Sequence, residues 1–219
     1  MKYSLKIFTP IVCIFFIRFP EECQSSGIGI YFLSYGNGSS DIQWSRGGES
    51  AGYQADYKYL GYGIVFDSRV ASPGIFSYRL SLGYANADFI YNTIYKFDFS
   101  NYSMSNIFCF TIFQSKNIWL WLGPQFELMY MKCREDYSDG NGKVDLYGIG
   151  LSPVLGVNFN IGSLISVCPE IGYRFSYLGG QSIRHWNVNI DSYKIDWEVN
   201  TNECFFRLNM LLRFNDLFY

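Results

Sequence analysis

The chain has 219 residues, of which 49% are hydrophobic, 16% are charged and 20% are aromatic. These proportions supply enough apolar surface for one ordinary domain, and they exclude a disordered chain, a collagen, a coiled coil and a disulfide-dense miniprotein. The formal net charge is −2, without a basic stripe, so we predict no nucleic-acid partner. The single histidine, His185, excludes a multi-histidine metal site and makes any Ser-His or Cys-His catalysis depend on that residue.

The N-terminal segment has the layout of a secretory signal. Lys2 and Lys6 precede the apolar run at residues 7–19. This run is shorter than the roughly 20 residues that a membrane-spanning helix needs. We therefore predict a signal peptide over residues 1–25 and one domain over residues 26–219, with an uncleaved anchor as the alternative. No later stretch is apolar for long enough to form a helical span, so the domain is either soluble and secreted or crosses a membrane as strands.

Two segments alternate between apolar side chains and small or polar ones. Residues 75–84 place Phe76, Leu80 and Tyr84 on one face, with Ser77 and Arg79 on the other. Residues 164–177 show the same period of two. Successive side chains of a strand point to opposite faces. Each segment therefore predicts a strand with one apolar face and one polar face.

This period recurs in eight segments, which we predict as antiparallel strands. Their connections alternate between short turns and long polar loops, as an up-and-down topology requires. The predicted strands cover residues 27–35, 53–66, 75–85, 102–113, 118–131, 146–161, 164–177 and 204–214. The predicted turns cover residues 67–74, 114–117 and 162–163, and the predicted loops cover residues 36–52, 86–101, 132–145 and 178–203.

The position of the aromatic side chains separates two kinds of barrel. A soluble barrel such as a lipocalin points its apolar face inward, whereas a transmembrane barrel turns an apolar band about 25 Å tall toward lipid, bounded by aromatic girdles. Tyr78, Tyr84 and Tyr177 lie toward strand ends on the apolar face. We therefore predict an all-β, eight-stranded, antiparallel up-and-down transmembrane β-barrel, with short turns on the periplasmic side. A soluble secreted barrel is the alternative.

The layout resembles the small eight-stranded outer-membrane barrels, the group that contains the OmpA transmembrane domain and the OmpX-like proteins. The local likeness lies in GIGLSPVLGVNFNIG at residues 148–162, EIGYRF at residues 170–175 and the terminal aromatic Tyr219. The resemblance implies an outer-membrane location, with outer-membrane lipid and lipopolysaccharide as partners. It also implies that the barrel assembly machinery reads Tyr219 or Phe218.

Six charged residues fall on inward positions of the predicted strands. An unpaired charge in a narrow barrel would be costly, so we expect ion pairs and hydrogen bonds across the lumen. The interior of an eight-stranded barrel is just wide enough for side chains, which favours a plug over a gated ion or solute path. The six residues are Arg79, Glu127, Glu170, Arg174, Arg207 and Arg213.

Two segments of the long loops contain groups that could carry chemistry. His185 has Asn187 two residues further on, where lipid A deacylase barrels have the serine of a Ser-His pair, so we predict an exposed loop residue and no enzyme. Residues 132–145 contain several acids around Gly140 and Gly142, but the ligand positions of an EF-hand are not met. We predict neither a metal site nor a cofactor.

Four cysteines follow the predicted signal peptide. Cys133 and Cys204 lie near the outer ends of predicted strands, whereas Cys109 and Cys168 fall on inward positions. An oxidising compartment permits disulfides, and four cysteines allow three pairings. A disulfide between Cys133 and Cys204 is the preferred pairing, with free buried thiols as the equal alternative.

Together these patterns predict a non-enzymatic outer-membrane barrel with a structural or surface-interaction role. Its loops are rich in Tyr, Trp and Asn, which suit adaptable contacts to an unidentified extracellular ligand such as a glycan, a protein or lipopolysaccharide. The alternative is a narrow channel or small-solute transport barrel. A lipid-modifying enzyme centred on His185 is a less favoured third interpretation.

Overall fold

The computed structural model describes residues 26–35, 38–46, 49–57, 60–68, 75–91, 95–137, 140–185 and 192–214. Among these residues no helix is long and apolar enough to span a membrane. The predicted signal peptide and the two terminal aromatics, Phe218 and Tyr219, lie outside them. The strands are β1 (Gly27–Tyr35), β2 (Gly38–Arg46), β3 (Glu49–Tyr57), β4 (Leu60–Asp67), β5 (Phe76–Tyr91), β6 (Tyr95–Gln114), β7 (Ile118–Tyr137), β8 (Gly140–Ile161), β9 (Ile165–His185) and β10 (Ser192–Arg213).

Eight of the ten strands close a ring. Their order is β1, β4, β5, β6, β7, β8, β9 and β10, and β10 pairs back onto β1. Every pairing in the ring is antiparallel. This arrangement confirms the predicted all-β, eight-stranded, antiparallel up-and-down barrel. We call the end with the turns at residues 115–117 and 162–164 the short-turn end, and the opposite end the long-strand end.

The stagger of the ring sets the width of its interior. Stepping from Phe32 on β1 to its partner on β4, and from there to each following strand in turn, leads to Glu198 on β10. On its other side, however, Phe32 pairs directly with Leu208 of β10. The two β10 positions are ten residues apart. Eight strands with such a stagger tilt by roughly 40° from the barrel axis and enclose a space that side chains can fill.

The hairpin of β2 and β3 extends the wall where β1 and β4 end. Pairing of β1 with β10 reaches Tyr35 and Phe205, and pairing of β2 with β10 takes over at Ser39 and Asn202. Here the prediction was wrong, because it assigned residues 36–52 to a loop and residues 53–66 to one strand. Residues 38–46 contain few apolar side chains, so their alternation is weak as a sequence signal.

Three further predicted loops are largely strand. Strands β5 to β10 continue far into residues 86–101, 132–145 and 178–203, and His185 is the last residue of β9 rather than a loop residue. In these extensions the alternation of polarity has the opposite phase, because the inward side chains are apolar and the outward ones are charged. Met131 and Cys133 are buried inside, while Lys132 and Arg134 are exposed outside. A search for apolar residues on the outer face therefore misses them. Water rather than lipid faces a wall with this pattern.

A row of tyrosines marks the border between the two phases. Paired tyrosines on β4 to β8 form this row, with ring centroids 5.7, 5.1, 6.0 and 5.0 Å apart from one neighbour to the next. On the short-turn side of the row the outer face is apolar, and we call that part of the wall the belt. The tyrosine row consists of Tyr62, Tyr84, Tyr102, Tyr130 and Tyr147.

Three prolines of the belt interrupt its hydrogen-bond ladder. Pairing of β6 with β7 is interrupted at Pro124 of β7, which lies opposite Phe108. Pairing of β8 with β9 is interrupted twice, once at Pro153 of β8 and once at Pro169 of β9. A proline nitrogen has no hydrogen to donate to a neighbouring strand. The pairing register is the same on both sides of each interruption, so the prolines remove hydrogen bonds without shifting the strands.

Candidate functional site

The lumen of the belt holds a balanced set of buried charges. Side chains on alternate positions of each strand point inward. Among the described residues, four arginines and four carboxylates are buried, so their formal charges cancel. Buried charges in a low-dielectric interior need such partners. The eight residues are Asp67, Arg79, Glu127, Glu170, Arg174, Glu203, Arg207 and Arg213.

The first group of charges is a chain of ion pairs across the barrel, which we call the crossing network. Arg79 on β5 pairs with Asp67 on the adjacent strand and with Glu170 on β9. Glu170 also accepts a hydrogen bond from Arg207 Nε at 2.5 Å. The network therefore contains two cations and two anions and joins β4, β5, β9 and β10.

Neutral groups complete the surroundings of Arg79. A guanidinium N–H donates to Asn158 Oδ1 at 3.3 Å, and the Trp121 indole N–H donates to the same oxygen at 3.1 Å. The guanidinium carbon lies 4.9 Å from the Trp121 ring centroid, a cation–π distance. Another guanidinium N–H lies 3.2 Å from Cys168 Sγ. Arg79 has no exposed surface, so the lumen is filled at this level.

Arg207 ties the network to further strands. It donates to Gln125 Oε1 on β7 at 2.8 Å and to Ser81 Oγ on β5 at 3.4 Å. Its guanidinium also lies 5.5 Å from the Tyr31 ring and 5.7 Å from the Phe205 ring. One arginine therefore contacts side chains from β1, β5, β7, β9 and its own strand.

A second group lies closer to the tyrosine row. Arg174 pairs with Glu203 on the adjacent strand and with Glu127 at 3.4 Å.

Arg213 lies near the short-turn end and donates to the Gly162 carbonyl. Gly162 has a φ of +62°, a left-handed conformation that the tight turn after β8 requires.

The structure thus places all six sequence-predicted lumen residues inside the barrel, and it adds two that were missed. Asp67 and Glu203 each lie one position outside the predicted strands, so they were assigned to connections. Their inward position follows from the same alternation, since Asp67 is two residues from buried Val65 and Glu203 two from buried Phe205. Extending each predicted strand by one residue would have found them.

The lumen is not uniformly polar, which differs from the expectation for a transmembrane barrel. Trp119, Trp121 and Leu211 are buried with the crossing network inside the belt. A second apolar cluster fills the long-strand end. Large side chains of both kinds therefore pack the interior. The second cluster consists of Ile42, Met129, Met131, Cys133, Val144, Leu146, Leu178, Ile195, Trp197 and Val199.

The preferred disulfide is wrong. Cys133 is buried inside the barrel on β7, whereas Cys204 is exposed on the outer face of β10, so the wall itself separates the two thiols. Cys109 and Cys168 are free and fully buried, as the alternative of free buried thiols predicted. Among the described residues no group of three or more His, Cys, Asp or Glu side chains could hold a metal ion.

A comparison with a solved structure agrees with this architecture. OprG of Pseudomonas aeruginosa, an outer-membrane protein, superposes with a TM-score of 0.59 at 11% identity, over 87% of this chain and 95% of that one. The chain has the fold of an outer-membrane β-barrel. Ail of Yersinia pestis, named as an attachment invasion locus protein, matches with a TM-score of 0.37 at 15% identity, over 85% of this chain and 99% of that one. No family model and no curated protein matches the sequence.

Proposed function

We propose that the protein is an integral outer-membrane β-barrel without enzymatic activity, and that its long-strand end performs a structural or surface-interaction role. The observation that carries this proposal is an asymmetry of the wall. Beyond the tyrosine row, β7 continues for seven residues from Tyr130 to Tyr137, whereas the short-turn end closes in tight turns. At about 3.3 Å per residue and a tilt of roughly 40°, this extension stands about 17 Å above the row.

The polarity of the extension supports an aqueous surrounding on that side. Its outer face carries exposed Lys132, Arg134 and Asp145, while its interior is apolar. A wall of this pattern projects from the membrane as a platform. In the orientation we propose, the platform faces outward from the cell and the short turns face the periplasm.

The packed lumen favours this role over transport. Arg79, Trp121 and Glu170 lie in the belt with at most 1% of their surface exposed. Ions would need a continuous hydrated path, and the crossing network occupies that path with paired charges. Planar bilayers containing the purified protein should therefore show no discrete conductance steps, whereas a steady channel current would support the transport alternative.

Membrane fractionation and gel mobility test the location. The protein should separate with outer membranes, and the unheated sample should migrate differently from the boiled one, because a folded barrel resists detergent at room temperature. A cell-impermeant amine reagent on intact cells should then label Lys132 and Lys143 in the extension but not Lys116 at the short-turn end. Recovery in the soluble fraction, or labelling of Lys116 alone, would contradict the proposal.

A further inference from the structure

The outer face of β7 and β8 carries three cations directly beyond the tyrosine row. Lys132, Arg134 and Lys143 are exposed, and none of them forms an ion pair with a described residue. Arg134 lies opposite Lys143, and Lys132 lies two residue pairs closer to the row, opposite Asp145. The Lys132 ammonium is 5.9 Å from the Tyr102 ring centroid and 5.6 Å from that of Tyr130. We call these three residues the basic trio.

The basic trio lines an open cavity of about 640 Å³ on the outer wall. Two acids line it as well, Asp145 and Asp98. Asp145 accepts a hydrogen bond from the Tyr130 hydroxyl at 2.9 Å, and Asp98 is half-buried. Three cations against two acids leave the cavity net positive. Strand pairing places Lys132 opposite Asp145 and Arg134 opposite Asp98, but none of the three cations forms an ion pair with an anionic partner among the described residues. A phosphate group would supply one.

An apolar groove of about 630 Å³ begins on the other side of the row. Met104, Leu128 and Ile149 line it within the belt, and Tyr130 lines both the groove and the basic cavity. The two spaces therefore lie next to each other, with Tyr130 lining both. Their chemistry changes from cationic to apolar at the level where the wall passes from water to lipid.

We propose that the basic cavity and the groove together bind one phosphorylated lipid of the outer leaflet, with its head-group phosphate on the basic trio and an acyl chain along the groove. A free phosphate would use only the basic cavity, whereas the neighbouring apolar groove favours the amphiphile. The inference rests on the proposed function only in that it takes the wall to lie in the outer membrane.

Titration of the purified full chain with lipid tests the proposal. Bisphosphorylated lipid A in mixed detergent micelles serves as the probe, and native mass spectrometry reads the bound fraction. The dephosphorylated lipid should bind at least tenfold more weakly than the phosphorylated one. The variant K132Q/R134Q/K143Q should lose that tenfold preference, while the control Lys116→Gln at the short-turn end should keep it.

A second variant tests the groove without changing charge. Leu128→Trp fills the groove and should weaken binding of the phosphorylated lipid severalfold, whereas Leu122→Trp, on the same strand outside the groove, should not. Equal binding of the two lipids to the unmodified chain, unchanged binding by the triple variant, or full displacement by millimolar inorganic phosphate would overturn the proposal. Gel mobility of each variant verifies folding. Because binding in micelles does not depend on cellular location, its failure would leave the fractionation test of the proposed function unaffected.

Discussion

Arg79 on β5 and Glu170 on β9 form a buried ion pair between strands that stand opposite each other in the ring. Three strands lie between them in either direction, so the pair crosses the whole lumen. The same glutamate holds Arg207, and the same arginine holds Asp67. The barrel is therefore braced across its axis as well as closed by its backbone ladder.

Replacing Glu170 by Gln tests this bracing. The change keeps the size of the side chain but leaves Arg79 and Arg207 buried with less negative charge. Breaking a buried ion pair costs about 3–5 kcal/mol, so the free energy of unfolding should fall by about that amount. Urea titration in phospholipid micelles, followed by tryptophan fluorescence, measures it.

Lys116→Gln is the matched control for that substitution. Lys116 is exposed in the turn between β6 and β7, so its loss should change stability by less than about 0.5 kcal/mol. A Glu170→Gln variant as stable as this control would show that the crossing network does not brace the barrel.

The tyrosine row contributes stability through ring contacts. Tyr130 stacks with Tyr102 at 6.0 Å and with Tyr147 at 5.0 Å, and its hydroxyl donates to Asp145. Tyr130→Ala removes two aromatic contacts and should lower the free energy of unfolding by about 1–3 kcal/mol. Tyr130→Phe keeps both contacts and should lose less than half as much. Equal losses in the two variants would assign the effect to the hydroxyl rather than to stacking.

The cysteines should differ sharply in reactivity. Cys204 is exposed on the outer face, whereas Cys109, Cys133 and Cys168 are buried. N-ethylmaleimide, a small apolar maleimide that enters the detergent covering the belt, should label Cys204 of the folded protein and the other three only after unfolding. Peptide mass spectrometry locates the label. A disulfide-linked peptide pair containing Cys133 and Cys204, or rapid labelling of Cys168, would be inconsistent with this arrangement of the wall.

Much of the belt is predictable from sequence because lipid imposes a simple rule. Leu80 and Ile171 must face hydrocarbon while Arg79 and Glu170 must not, and period-two alternation encodes that choice directly. The ion-pair partners are less predictable. Which arginine meets which glutamate across the axis depends on strand tilt and stagger, and the alternation of one strand carries no information about either.

The extensions and the hairpin were missed for a different reason. Beyond the tyrosine row water lies outside, so Ile195 and Trp197 point inward while Asp196 points outward. The period remains two, but the phase is reversed. A rule written for lipid reads such segments as polar loops. Along one strand, outward side chains must be expected to be apolar where lipid surrounds the wall and polar where water does, with the aromatic row marking the change.

The reversal of phase makes one comparison of variants decisive for the position of the membrane. Ile171 and Asp196 both point outward, one in the middle of the belt and the other beyond the tyrosine row. Ile171→Arg should lower the free energy of unfolding in lipid bilayers by about 2–4 kcal/mol, because it places a charge near the bilayer midplane. Asp196→Arg should change it by less than about 0.5 kcal/mol, because its exposed side chain stays in water. Denaturant titrations in the same vesicles give both values, and similar values for the two variants would mean that the belt is not the lipid-facing surface.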